Sequence, residues 1–211
     1  MVTTASQANS VILQNVSWEQ FEKLLEELGD RRTAQVAYDD GMLEIMTPSP
    51  EHEHFKEVIG DAVKDIADEL DLDYESYGST TWRERAKMAG VEPDNCFYFQ
   101  HEPAVRGRLD VDISQGDPPP DLALEIDVTN KSLDRLPIYA RLGVLELWCY
   151  DSGLLKIYHL QQGKYMEAET SLALPSLPIR ELPQLIEANR ATGRRAIRRA
   201  VRQWVQRWSV T

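Results

Sequence analysis

The chain has 211 residues and a formal net charge of −12, from 23 basic and 35 acidic side chains. Hydrophobic residues at 42% and charged ones at 27% exclude a disordered acidic tail and predict one domain with an ordinary buried core. The opening MVTTASQANS is short and polar, nothing approaches the roughly 18 apolar residues of a membrane span, and Cys96 and Cys149 stand in apolar runs, so a reducing cytoplasm is expected.

Ser17-Trp18-Glu19-Gln20 has the S-x-x-Q spacing of a capping box and opens a helix through Leu28, stopped at Gly29-Asp30. Residues 35–39 and 42–46 flank Asp40-Gly41, a strong hairpin signal. After Thr47-Pro48-Ser49-Pro50 the spacing predicts a long helix over 52–70, with Phe55, Val58, Ile59, Ala62, Val63, Ile66, Ala67 and Leu70 on its buried face. Residues 71–77 read as a strand, 82–91 as a polar excursion and 95–100 as a short apolar strand entered through Glu92-Pro93-Asp94. Residues 108–113 alternate polar with apolar, so Asp110 and Asp112 are expected on a solvated strand face. Pro118-Pro119-Pro120 then breaks the chain before the clearest strand, 121–128. A helix over 133–142, strands over 145–150 and 154–160, and one from Lys164 follow. These elements predict one α/β domain with a largely central sheet.

Charge is unevenly distributed. Residues 176–211 hold eight arginines against Glu181 and Glu187, a balance of +6, while residues 1–175 carry 15 basic and 33 acidic groups, or −18. From about Leu182 the tail reads as helix, with Ile197, Val201, Trp204, Val205 and Trp208 forming one apolar stripe. Arg194, Arg198 and Arg202 line one side of it, and Arg195 with Arg199 forms a second row. Such a helix touches phosphates or docks on the chain's own acidic body, and the excess of Asp and Glu favours docking.

In the strand 121–128 the even positions Leu122, Leu124, Ile126 and Val128 are apolar, and the odd positions Asp121, Glu125 and Asp127 are carboxylates with Ala123 between them. Neighbouring acids on one face repel unless a cation or basic side chain sits among them. Mg²⁺ or Mn²⁺ suits carboxylate oxygens, and a solvated acidic face is the alternative. Asp94, at the mouth of the 95–100 strand, adds a second point for a two-carboxylate clamp. His52 and His54 are two residues apart, so they do not share a helix face and make no zinc pair. HExxH, CxxC and a glycine-rich phosphate loop do not occur.

The segments Pro118-Pro119-Pro120-Asp121-Leu122-Ala123-Leu124-Glu125-Ile126-Asp127-Val128-Thr129 and Ile138-Tyr139-Ala140-Arg141-Leu142-Gly143-Val144-Leu145-Glu146-Leu147-Trp148 resemble the Uma2-type family of endonucleases. The resemblance extends to Asp40–Pro48, Glu51-His52, Gly78-Ser79-Thr80-Thr81 and Glu92-Pro93-Asp94, and covers roughly residues 35–160. It implies a restriction-endonuclease-like fold of the PD-(D/E)XK superfamily: a mixed sheet flanked by helices over 1–175, with the arginine-rich helix of 176–211 packed on it or extending from it. It also implies Mg²⁺-dependent hydrolysis of DNA phosphodiester bonds, with homodimers common in the superfamily.

Matched residue by residue, the resemblance makes Asp94 and Glu125 the central acids and adds Asp121 as a third metal ligand. Glu51, His52 and Asp127 are auxiliary. The superfamily lysine two residues after the glutamate is replaced by Asp127, so Lys131 and Arg135 are the candidates for the basic catalytic group. Arginine stabilises negative charge but is a poor general base. The alternative function is a nuclease-fold module that has lost activity and binds a protein or nucleic-acid partner. With part of its acidity offset by Mg²⁺, the body no longer excludes DNA, and weak, salt-sensitive, metal-dependent binding is expected.

Overall fold

A computed structural model describes residues 9–29, 33–127 and 133–209. Local signals account for its first third. Strand β1 (Asn9–Leu13) precedes helix α1 (Trp18–Leu28), whose capping box is complete: Ser17 Oγ accepts from the Gln20 N–H at 3.2 Å, and Gln20 Oε1 accepts from the Ser17 N–H at 2.7 Å. Strands β2 (Gln35–Asp39) and β3 (Met42–Thr47) form the expected hairpin, in which Asp40 and Gly41 both take positive φ, 41° and 94°. That conformation matches the twist of the flanking strands. Helix α2 (Pro50–Glu69) is capped by Ser49 and starts with a proline, whose missing N–H is harmless there.

The remaining elements are β4 (Glu75–Ser76), β5 (Trp82–Glu84), β6 (Ala89–Val91), β7 (Asn95–Tyr98), the short helix α3 (Glu102–Val105) and β8 (Leu122–Ile126). Then come α4 (Leu136–Leu142), β9 (Glu146–Asp151), β10 (Leu154–Gln161), β11 (Lys164–Ala168), α5 (Leu182–Arg190) and α6 (Arg194–Ser209). They build a mixed α/β fold with two sheets. One is five-stranded, in the order β1-β3-β2-β6-β5; the other is six-stranded, β11-β10-β9-β8-β7-β4, with β8 and β9 parallel. Strand β8 is buried on both sides. Leu122, Leu124 and Ile126 pack with α2, α5 and α6, while Ala123 faces a second core containing Trp82, Val91, Ile138 and Tyr139. Its acidic face is therefore covered, not solvated.

Several expected elements change. Residues 71–77 yield only the two-residue β4, after Asp71 turns with φ 53°. The polar excursion contributes β5 and β6 to the hairpin sheet, because Trp82, Ala89 and Val91 have a core to enter. Residues 108–113 form no strand: Leu109 is 99% exposed, and Arg108 ties the loop to Asp110 and Asp117. Asp112 there caps a 3₁₀ turn. Helix α4 starts at Leu136, and the tail is two helices separated at Gly193.

Two contacts seat the helices on the sheet. A Cβ on Gly60 of α2 would stand 2.6 Å from Asn95 Nδ2, so glycine permits the close approach of α2 to β7. Helix α6 docks on α2 through Arg194–Asp61 at 2.9 Å, Arg198–Asp65 at 2.8 Å and Arg202–Asp65 at 2.6 Å. Its stripe buries Ile197, Val201, Trp204 and Val205, and Trp208 stays half-exposed. Docking on the acidic body is thus the observed arrangement. Among the described residues no helix is long and apolar enough to cross a membrane.

Candidate active site

The two sheets meet at the start of β7 and the end of β8. These strands run antiparallel with Asn95 opposite Leu124, which brings Asp94, just before β7, alongside Glu125. The Asp94 N–H donates to the Leu124 carbonyl at 3.0 Å, and Asp94 Oδ2 accepts from the Ile126 N–H at 2.6 Å. From the other sheet, Gln35 Nε2 donates to Asp94 Oδ1 at 2.8 Å. His52, fully buried in the first turn of α2, places Nε2 3.1 Å from the same oxygen.

Glu125 faces α4. Arg135, immediately before that helix, directs Nη1 to both carboxylate oxygens at 3.3 and 3.1 Å, and the Tyr139 hydroxyl donates to Oε1. One turn separates Arg135 from Tyr139, so both reach the same acid. Arg135 Nη2 also reaches Glu44 Oε2 of β3 at 3.4 Å, and Nη1 reaches the Glu92 carbonyl at 3.4 Å. Glu92 accepts from the Val36 N–H at 3.0 Å and from the Thr81 hydroxyl, which ties β2 to the segments beside β5 and β6 within the five-stranded sheet. Asp94, Glu44, Glu125 and Arg135 are all 5% exposed or less. Buried charge of this density is tolerable only when paired. Burial works against the Arg135 cation, yet Glu125, Tyr139, Asp94 and Glu44 together hold its pKa above the ordinary arginine value. Burial and the Glu125 charge push the Tyr139 phenol well up, so it remains a donor.

The structure brings Asp94, Glu125, Arg135 and His52 together, and separates Asp121 from them. Asp121 shares the face of Glu125 but lies four residues earlier, about 13 Å along the strand. There its carboxylate accepts from the Phe99 and His101 N–H groups at 2.8 and 2.9 Å and meets His101 Nδ1 at 2.5 Å. Glu51 is exposed and lines a different groove with Phe55 and Tyr150. Asp127 lines a cleft of about 380 Å³ with Glu125, Asp134, Arg135, Asp151 and Lys156. Lys131 lies outside the described residues. Sequence reasoning missed Glu44, Glu92, Gln35 and Tyr139. The i, i+4 spacing of Arg135 and Tyr139 was a usable signal; the others arrive through pairing between distant strands.

Two carboxylates side by side have the hard oxygen donors that Mg²⁺ takes. Their arrangement is another matter. Asp94 accepts from Gln35 and Ile126, and Glu125 is engaged by Arg135 and Tyr139. Among the described residues no group of three His, Cys, Asp or Glu side chains could hold a metal ion. With Arg135 in place the described residues do not fit a bound divalent ion; the cation at Glu125 is the guanidinium. The expected ligand set Asp94, Asp121 and Glu125 is not brought together, because Asp121 lies at the opposite end of β8.

This constellation of buried acids lies at the junction of the two sheets, with Glu125 and Arg135 reaching the cleft. The chain belongs to the Uma2 family, described as "Putative restriction endonuclease", whose sequence model matches residues 18–191. It is also similar to the crystal structure of "a putative nuclease belonging to DUF820 from Anabaena variabilis ATCC 29413". The identity is 14%, with 89% of this chain and 97% of that chain covered and a TM-score of 0.49. No curated protein matches the chain.

Proposed function

We propose that this protein is an endonuclease with a restriction-endonuclease-like fold that acts on DNA phosphodiester bonds at Asp94, Glu125 and Arg135. The observation that carries the reading is the side-by-side placement of Asp94 and Glu125 at one end of β7 and β8. Membership of the Uma2 family supports it. Within the chain, Asp94 is fixed by Gln35, His52 and the Ile126 N–H, and Glu125 is oriented by Tyr139. Arg135 is the group suited to a phosphate, since its planar fork matches two phosphate oxygens and stabilises developing negative charge. Its high pKa bars it from taking a proton from water.

A second reading has its own observation. Arg135 already neutralises Glu125, so the fold also suits a DNA-binding module that does not cut. Plasmid nicking by purified protein, with Mg²⁺ or Mn²⁺ supplied, separates the two. Nicking that is lost in both Asp94→Ala and Glu125→Ala is the expected outcome. Nicking that survives in both variants overturns the assignment of the acids, and a wild type that binds plasmid without nicking it establishes the second reading.

A further inference from the structure

Among the described residues every arginine outside α6 stands within ion-pair distance of a carboxylate. On α6 the inner row, Arg194, Arg198 and Arg202, is paired with Asp61 and Asp65. Arg195, Arg199 and Arg207 have no such partner among the described residues, and all three are exposed. In a chain with 35 acidic residues this is not for want of carboxylates. Among the described residues, arginines without a carboxylate partner are confined to α6.

That face has a shape. Arg195, Arg199 and Arg202, with Gln203 and Gln206, line an open groove of about 650 Å³ beside α2. Glu69, at its edge, is engaged by Gln206 Nε2 at 2.9 Å. Arg195 and Arg199 are one turn apart, about 6 Å along the axis. The inner salt bridges fix the helix, so the outer guanidinium groups project from a rigid platform and not from a loose tail.

We propose that the outer face of α6 binds the phosphate backbone of duplex DNA, with Arg195 and Arg199 as the principal contacts. Guanidinium forks pair with phosphate oxygens two at a time, whereas a mixed acidic protein surface would need apolar anchors, and the groove is lined by none. The choice of DNA among polyanions rests on the function proposed above; the surface itself does not. It is separate from the buried acids, because Arg194 meets α2 at Asp61, more than two turns beyond His52.

The test is fluorescence anisotropy on a labelled duplex in EDTA, which keeps any metal-dependent cleavage out of the readout, across about 50 to 200 mM salt. Arg195→Gln/Arg199→Gln is compared with wild type and with the exposed control Lys164→Gln. Loss of two phosphate contacts is expected to lower the slope of log K against log salt by about 1.8 and to weaken binding. The control keeps the wild-type slope, and the double variant keeps the wild-type Tm. An unchanged slope in the double variant overturns the proposal, as does a wild type that binds no duplex at the lowest salt. Displacement of the duplex by polyglutamate as readily as by unlabelled duplex at equal charge reassigns the face to acidic proteins and overturns it too. Plasmid nicking read on the acid variants fails or succeeds independently of these outcomes.

Discussion

Arg135 balances charge for two sheets at once, since its guanidinium meets Glu125 of β8 and Glu44 of β3. Truncating one member of a buried pair leaves the other uncompensated, so Arg135→Ala is expected to cost about 3–5 kcal/mol in urea unfolding. A divalent ion then has a reason to enter: the Tm of Arg135→Ala should rise with added Mg²⁺ while that of the wild type does not. A flat response in both would remove the view that the guanidinium holds a cation's place. Asp121 gives the opposite expectation. Its hydrogen bonds brace the turn after β7, so Asp121→Asn should lower stability by about 1–3 kcal/mol and leave nicking per folded molecule unchanged. A loss of nicking as complete as in Asp94→Ala would place Asp121 back among the functional acids.

At the level of elements, helix α2 joins the acid centre at one end to the arginine helix further along. Gly60 sets its distance from β7, and a methyl group there must displace the buried Asn95 amide, which also bonds Ser76 and the Cys96 N–H. Gly60→Ala is therefore expected to destabilise by about 1–3 kcal/mol, read as a fall in the denaturation midpoint. Asp65 fixes the docking of α6. Burial raises its pKa, and the hydrogen bonds from Arg198 and Arg202 more than reverse this, leaving it below the usual carboxylate range. A depressed folded pKa gives stability that is complete above the unfolded value of about 3.9 and is lost as pH falls through the lower folded value. Acid unfolding of Asp65→Asn should lack this component, and a wild type and variant with parallel acid titrations would contradict it.

For the whole molecule, local elements were far more legible than their meeting places. The capping box at Ser17, the Asp40-Gly41 hairpin and the parity of β8 are written in adjacent residues. Parity assigned Asp121, Glu125 and Asp127 to one face correctly, but a face says nothing of depth along the strand. What selects Glu125 is the antiparallel register with β7, and that is fixed by packing between residues about 30 positions apart. Glu44 and Gln35 join from the other sheet for the same reason. Residues 108–113 misled because alternation predicts a strand only when a neighbour is available to pair with it.

Strand β1 ends the five-stranded sheet, and β3 is its strand partner among the described residues. It displays Val11, Ile12 and Leu13 at 56%, 37% and 43% exposure. An apolar strand at a sheet margin is a template on which another extended chain can assemble, and proteins commonly blunt such margins with lysine or proline. Here the molecule's repulsive charge does that work at a distance, through mutual repulsion of like-charged copies. High salt or a pH near 4.8, where that charge vanishes, should thus promote self-assembly. Val11→Lys should suppress the rise in light scattering under those conditions, and scattering that climbs equally in the variant would place the sticky element elsewhere.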